Sequence, residues 1–224
     1  MSLSSLANHL SCRDNHLVEI DVLEEAIVLD REALSLCPPG HPDRLMSLNN
    51  LESRISSRYK RLEGVDDLNE IIVLNREILS LCPPGHPDRW MTLNKLGSRL
   101  SSRYKQLEAI DDLNETIVFV REILSLFPPG HPDRPSFLNN LGVCLSLWYE
   151  KFGRIDDLNE AIVSNREALS LCALGHPDRS MFLNNLGVDL FLRHERLGGI
   201  DDLHEAIVFD QEAVSLAQLD TLTA

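Results

Sequence analysis

A recurring acidic segment contains the residues best suited to metal binding or catalysis. Asp-Asp-Leu-Asn-Glu occurs at 66–70, 111–115 and 156–160. Paired carboxylates can bind Mg²⁺ and, through the ion, a diphosphate, but they must then converge on one cavity with further ligands opposite. Here each copy lies at a predicted helix start, where helix capping explains it. We therefore predict no metal site, and a Mg²⁺-dependent diphosphate enzyme that uses these segments is only the remote alternative.

Histidines recur at a matching interval and are the second candidates for chemistry. Each precedes a proline, and the four are His41, His86, His131 and His176. One imidazole per copy, without a second ligand three or four residues further on, makes a poor metal site. We predict that these rings pack in loops or cap helices. The sequence also contains no nucleophile elbow, phosphate loop or nucleotide fingerprint, so we predict no catalytic residue, no cofactor and no enzymatic activity.

Both patterns belong to a repeat of constant length. Gly-His-Pro-Asp-Arg begins at Gly40, Gly85, Gly130 and Gly175, which are 45 residues apart, and Asp21-Val22-Leu23 is a degraded first copy of the acidic segment. A constant period of this size is typical of supersecondary units that bury their apolar faces only by stacking. We predict five repeats in a single domain over 1–224: 1–40, 41–85, 86–130, 131–175 and 176–218, followed by a short tail at 219–224.

Each repeat is predicted to contain two helices. In the third repeat, apolar residues spaced three or four apart predict helix A over about 87–107, with proline in its first turn. Asp112-Leu113-Asn114-Glu115 has the form of a capping box and predicts helix B over about 111–127. Pro128-Pro129-Gly130 then ends helix B. The repeat is therefore predicted to be an antiparallel helical hairpin.

Composition excludes several classes of partner. The formal charge is −14 and no basic run offsets it, which disfavours binding to nucleic acid. No apolar stretch approaches the length of a membrane span, and no secretory leader is evident, so we predict a cytoplasmic protein. Cys37, Cys82 and Cys172 share one repeat position, which Phe127 occupies in another copy. That exchange predicts small buried hydrophobic residues that form no disulfide.

The spacing of the apolar and small residues resembles the tetratricopeptide repeat (TPR). The pattern Leu138-x-x-Leu141-Gly142-x-x-Leu145 is followed by Ala161 and Ala168. His-Pro-Asp ahead of Leu-Asn-Asn-Leu-Gly also resembles the long repeats of kinesin light chains and of fungal TPR proteins. The resemblance implies an all-α, right-handed α-solenoid of five antiparallel helix pairs. HEAT or armadillo repeats share this range of periods and are the alternative fold.

One position departs from the pattern. Glu52 stands where other repeats have Ala7, Gly97, Gly142 and Gly187, which would keep helices A and B close together. We therefore predict a wider or tilted contact between the two helices of the second repeat.

The resemblance further implies a concave groove lined by helix A of each repeat. The predicted groove residues follow the first signature leucine, and they are Asn49, Asn50, Asn94, Lys95, Asn139, Asn140, Asn184 and Asn185. Each carboxamide offers two donors and one acceptor, which suits binding to the backbone of an extended peptide. Ser53, Ser56, Ser98 and Ser101 would extend a neutral polar strip. The alternative is that the asparagines bond between adjacent helices and only fix the stacking.

We thus predict a module that binds a protein or peptide partner in this groove. The opposing hypothesis is a structural array within a larger regulatory protein that has an NTPase or caspase-like domain. The sequence begins inside a repeat and ends soon after the last helix B, without a distinct polar capping helix. Bare end faces of such an array would favour association into homo-oligomers.

Overall fold

The computed structural model describes the backbone of residues 20–223 and the side chains of residues 20–216. This part of the chain contains nine helices and no strand, which confirms the all-α prediction. The helices are α1 (20–35), α2 (Arg44–Leu62), α3 (Val65–Leu81), α4 (Arg89–Leu107), α5 (Ile110–Leu126), α6 (Arg134–Phe152), α7 (Ile155–Leu171), α8 (Arg179–Leu197) and α9 (Ile200–Thr223). The predicted helix A of the first repeat lies outside the described residues.

The chain divides into two compact units, Met1–Gln106 and Leu107–Ala224, here called the N-terminal and C-terminal units. In the N-terminal unit, α2 packs against α3. In the C-terminal unit, each helix from α5 to α9 packs against the next, and α6 also contacts α8. Helices close in sequence are therefore close in space, as expected of stacked hairpins. The five repeat boundaries remain predictions.

The Gly-His-Pro-Asp-Arg motif starts helix A, as predicted. In all four copies the helix begins at the arginine of the motif. The His86 ring accepts a hydrogen bond at Nδ1 from the Asp88 backbone N–H, 3.2 Å away, and the other three histidines do the same. The ring thus satisfies a donor that helix geometry leaves free near the first turn. The prediction that the histidines serve loop packing is confirmed.

The arginine of the motif joins consecutive repeats. Arg134 donates from Nη1 to the Phe127 carbonyl oxygen, 2.8 Å away at the end of α5, and from Nε to Glu167 in α7. Arg179 does the same with the Cys172 carbonyl and Glu212. A cation at a helix C-terminus satisfies free carbonyls and stabilises the helix dipole. The motif therefore ends one helix B as it begins the next helix A.

The predicted capping box is wrong. Helix B begins earlier than the pattern suggested, with Gly64, Ala109 and Arg154 at its N-cap positions, and none of these makes a side-chain capping bond. The two aspartates instead lie inside the first turn, where the helix dipole favours negative charge. In the second and fifth repeats, the second aspartate pairs with an arginine of the preceding helix. Arg58 contacts Asp67 at 2.6 Å, and Arg193 contacts Asp202 at 2.6 Å.

The signature residues form the core. In the fourth repeat they are all buried, and they are Leu138, Leu141, Leu145, Ala161 and Ala168. The recurrent cysteines and Phe127 are buried too, and Cys37, Cys82 and Cys172 are free thiols, which confirms their predicted role. None of the described helices combines the length and hydropathy that a bilayer span requires.

The hairpin that contains Glu52 differs from the hairpin of the fourth repeat, and the wider or tilted contact stays a prediction. The contact between α2 and α3 is less extensive than that between α6 and α7, where Gly142 occupies the equivalent position. A β-carbon at Gly142 would lie 2.3 Å from Oδ1 of Asn165, so only glycine permits that approach. Glu52 is buried at the equivalent position of α2, and its carboxylate accepts bonds from Ser56 in the same helix and Lys95 in α4.

Candidate functional site

The predicted groove residues lie in pairs on the A helices α2, α4, α6 and α8, but their environments differ. Six side chains are exposed: Asn49, Asn50, Asn94, Lys95, Asn140 and Asn184. Asn185 is half-buried, and Asn139 is only 2% exposed. Identical sequence positions therefore do not give equivalent surfaces.

Asn139 and Asn185 link two neighbouring A helices of the C-terminal unit. Nδ2 of Asn185 donates to Oδ1 of Asn139 over 2.8 Å. Because Asn139 is buried, losing this bond would leave a polar group without solvent or a partner. For this pair, the structure shows the alternative prediction, in which the asparagines bond between adjacent helices.

Two further groove residues have their donors engaged inside the N-terminal unit. Nδ2 of Asn49 donates to the Leu45 carbonyl in the preceding turn of α2, 2.9 Å away. Nζ of Lys95 in α4 contacts Oε2 of Glu52 in α2 at 3.2 Å. Lys95 therefore links two A helices in the manner of Asn185, although its ammonium group remains partly exposed.

Four carboxamides on the A helices remain available to a partner. Asn50 and Asn94 belong to the N-terminal unit, and Asn140 and Asn184 to the C-terminal unit; all four are exposed. Each can donate and accept hydrogen bonds at once, as an extended backbone requires. In each unit, its two exposed carboxamides form a candidate partner-binding surface.

The predicted serine strip is only partly correct. Ser53 and Ser98 are exposed on their helices, whereas Ser56 is buried. Oγ of Ser56 donates to Oε1 of Glu52 over 2.7 Å and accepts from Nη2 of Arg99 at 3.2 Å. Ser56 therefore packs between α2 and α4 and is not part of an open surface.

A polar position in the middle of helix B was not anticipated. Asn165 of α7 is fully buried among apolar residues, and its Nδ2 donates to Oδ2 of Asp189 in α8 over 2.7 Å. Asp189 also accepts a bond from Oγ of Ser146 in α6. The signal was present in the sequence, since position 165 and its equivalents, Asp30, Asn75 and Asp210, interrupt an otherwise apolar helix face.

The N-terminal unit has the same position without the same partner. Asn75 of α3 is fully buried, and neither Nδ2 nor Oδ1 has a hydrogen-bond partner among the described residues. Arg99 occupies the repeat position of Asp189, and its guanidinium reaches Ser56 and the face of Tyr59, 5.8 Å from the ring centroid. Asn165 therefore has its Nδ2 bonded while its Oδ1 also lacks a partner, whereas neither polar atom of Asn75 is bonded among the described residues.

Asp189 is the most perturbed acid in this network. Burial raises its pKa to about 6, although the bonds from Ser146 and Asn165 oppose the shift, and the charge of Glu150 adds to it. A carboxyl group whose pKa is higher in the folded state than in the unfolded state favours folding most when it is protonated. Its contribution is complete below the ordinary pKa of 3.8 and is lost as the pH rises through about 6.

Asp189→Asn is expected to remove this pH-dependent loss. The substitution keeps a hydrogen-bonding side chain but never carries the charge that is costly to bury. Relative to the unsubstituted protein, the variant should gain about 1–2 kcal/mol of unfolding free energy on going from pH 5 to pH 8. Urea unfolding of both proteins at the two pH values measures this difference. An equal difference at both values would contradict the assignment.

The acidic segments do not gather into a common site. Asp67 and Asp202 contact the arginines described above, and Asp157 contacts Nε of Arg154 at 3.4 Å. Among residues 20–216, no three acidic, histidine or cysteine side chains form a group with metal-binding geometry. These carboxylates join helices within and between repeats.

Arginines on the B helices also join successive repeats. Arg31 contacts Glu70 at 2.8 Å, and Arg121 contacts Glu160 at 2.7 Å. Arg166 and Glu205 form the equivalent pair at 2.5 Å. These three contacts link B helices of neighbouring repeats. Because these side chains are exposed, each pair contributes little stability on its own.

Comparisons with known proteins agree with the hairpin architecture. No family model and no curated protein matches the sequence. A point variant of a Podosopora anserina protein of the kinesin-light-chain type, with nearly identical TPR-like repeats, matches with a TM-score of 0.61 and 15% identity over 100% of both chains. The parent protein matches with a TM-score of 0.55 and 15% identity, over 93% of this chain and 97% of the other.

A third solved structure extends the similarity beyond that protein. The double mutant MamA RS-1 ArsTM matches with a TM-score of 0.60 and 14% identity over 96% of each chain. At such low identity the likeness concerns the fold alone. Together with the stacked hairpins and their buried signature residues, it shows that this chain has the fold of a TPR-type repeat array.

Proposed function

We propose that the chain binds an extended segment of a protein partner along the exposed face of its A helices and acts by binding, without catalysis. The expected setting is the cytoplasm. TPR-like neighbours support a general role in protein interaction. The observation that carries the finer proposal is the exposure of Asn50, Asn94, Asn140 and Asn184.

Exposed carboxamides at regular intervals suit a backbone ligand. A peptide presents alternating N–H and C=O groups whatever its side chains, and an amide can pair with either group. Asn50 and Asn94 lie on the A helices of two successive repeats in the N-terminal unit, at adjacent repeat positions. The net charge of −14 further favours a partner segment that is neutral or basic.

Removing the exposed carboxamides should weaken binding without unfolding the protein. A dodecapeptide selected from a displayed random library on the intact chain serves as the ligand. The double variant of the unit that holds the peptide, Asn50→Ala/Asn94→Ala or Asn140→Ala/Asn184→Ala, should weaken it about tenfold, because it removes two hydrogen bonds worth about 0.7 kcal/mol each. Fluorescence anisotropy measures the affinity, and the unfolding free energy should change by less than about 0.5 kcal/mol per substitution.

Asn139→Ala is the matched control. It removes a carboxamide from the same helices, but one that is buried and bonded to Asn185. We expect this variant to lose about 1–2 kcal/mol of stability, because Asn185 loses its bond and a small void forms. Unchanged peptide affinity in both double variants would contradict groove binding.

The second candidate is a structural array that assembles without a groove ligand. The bond between Asn139 and Asn185 favours it, since some asparagines of the series do serve stacking. Under this hypothesis, all asparagine variants should change stability or self-association, and no library peptide should depend on Asn50 or Asn94. The same set of variants therefore separates the two functions.

A further inference from the structure

A cavity of about 240 Å³ lies in the N-terminal unit between α2, α3 and α4. Its apolar wall is formed by Leu45, Ile78, Cys82 and Met91. Its polar lining is formed by Asn49, Asn75, Asp88, Thr92 and Lys95. One water molecule occupies about 30 Å³ in the liquid, so the cavity has room for a side chain. Because Asn49 and Lys95 belong to the predicted groove, the cavity adjoins the surface proposed to bind a partner.

Asn75 contributes an unpaired buried amide to the lining of this cavity. Its carboxamide is fully buried, and both of its polar atoms lack partners among the described residues. An unpaired buried amide is costly, and native proteins usually satisfy such groups. In the C-terminal unit, Nδ2 of the equivalent Asn165 donates a hydrogen bond to Asp189. The N-terminal unit has Arg99 at that position, and no side chain or backbone group within residues 20–216 pairs with the Asn75 amide.

The polar atoms define the chemistry of the occupant. An amide with a free donor and a free acceptor is best paired by a second amide, which forms two hydrogen bonds in opposite directions. A carboxylate would leave the acceptor Oδ1 without a donor, and an ammonium group would leave the donor Nδ2 without an acceptor. The charge of Lys95 is already opposed by Glu52, so the cavity does not demand a charged occupant.

We propose that this cavity is a recognition pocket for the side-chain carboxamide of glutamine in the bound partner segment. The methylene groups of glutamine would contact Leu45, Ile78 and Cys82 while its amide pairs with Asn75. Asn75 is 0% exposed even beside the cavity, so a lining side chain must move before a ligand reaches its amide. Met91 is 42% exposed at the wall, and its flexible side chain can move to admit the occupant. This inference rests on the proposed function, because the glutamine is carried by the segment in the groove.

The test uses the full chain and defined probes. Terminally blocked alanine-rich nonapeptides carry glutamine, glutamate or norleucine at the central position, and free glutamine is the small-molecule comparison. The side-chain amide signals of Asn75 in ¹⁵N–¹H spectra should shift and saturate with the glutamine peptide. Glutamate and norleucine should bind about tenfold more weakly, since each loses at least one hydrogen bond to a buried group. Free glutamine should bind no more tightly than the peptide.

Asn75→Val is the matched variant, because Val120 occupies the same repeat position in α5. It should lose the preference for glutamine about tenfold and unfold at an equal or higher temperature, since no unpaired amide remains buried. Asn165→Val should leave the preference unchanged. Equal affinity for the three peptides, tighter binding of free glutamine, or an Asn75 signal that does not respond would overturn the pocket. Library peptides that depend on Asn50 and Asn94 but not on glutamine would overturn the pocket and leave groove binding intact.

Discussion

Arg58→Met lowers the free energy of unfolding by about 3 kcal/mol, the largest expected effect of any substitution in the N-terminal unit. Nη2 of Arg58 lies 2.6 Å from Oδ1 of Asp67, and Nη1 lies 2.7 Å from Oε1 of Glu24. The Asp67 side chain is only 10% exposed, so loss of the guanidinium leaves its buried carboxylate without an opposite charge. The hydrogen bonds that Arg58 donates to Asp67 and Glu24 raise the pKa of Arg58 above its usual range, and it therefore stays charged at any pH in which the fold persists.

The double variant Arg58→Met/Asp67→Asn is the control, because it leaves no unpaired charge at the site. It should recover at least half of the lost stability as measured by the midpoint of urea unfolding. The fourth repeat shows how the equivalent aspartate is paired when the arginine is absent. Trp148 occupies the position of Arg58 in the fourth repeat, and there Asp157 pairs with Arg154 instead. Equal destabilisation by the single and double variants would show that the arginine acts through packing and not through charge.

Gly142→Ala should destabilise the C-terminal unit by about 2 kcal/mol, although alanine is the better helix former by about 1 kcal/mol. The new β-carbon would lie within 2.5 Å of three side-chain atoms of Asn165. Asn165 is fully buried and held by Asp189, so it cannot move without breaking that bond. Thermal unfolding followed by circular dichroism measures the loss.

Gly187→Ala is the comparison for this prediction. Its β-carbon would lie 2.6 Å from Oδ1 of Asp210, a similar clash on paper. Asp210 is exposed, however, and can rotate into solvent at little cost. We expect the change in stability to be within about 0.5 kcal/mol, because the helix propensity of alanine offsets the adjustment. Equal losses at Gly142 and Gly187 would mean that the close approach, and not the buried network, determines the cost.

The sequence by itself determined the repeat, the all-α class and the positions of most helices. These features depend on local sequence signals that recur in each repeat. The signals are prolines that cannot continue a helix, apolar residues at helical spacing, and small residues where two helices approach closely. Helix A of the third repeat was predicted over about 87–107 and is observed at Arg89–Leu107. The burial of Cys82 and its equivalents followed from their exchange with Phe127.

The tertiary structure alone decided which polar residues remain available. Asn139 and Asn184 occupy the same repeat position, yet the first is buried against α8 and the second is exposed. Asn75 and Asn165 likewise share a position, and only Asn165 finds a carboxylate. The partner of such a residue lies on another helix, and the register between two packed helices sets whether it is reached. That register arises from all the side chains in the contact, and the pattern of one helix does not contain it.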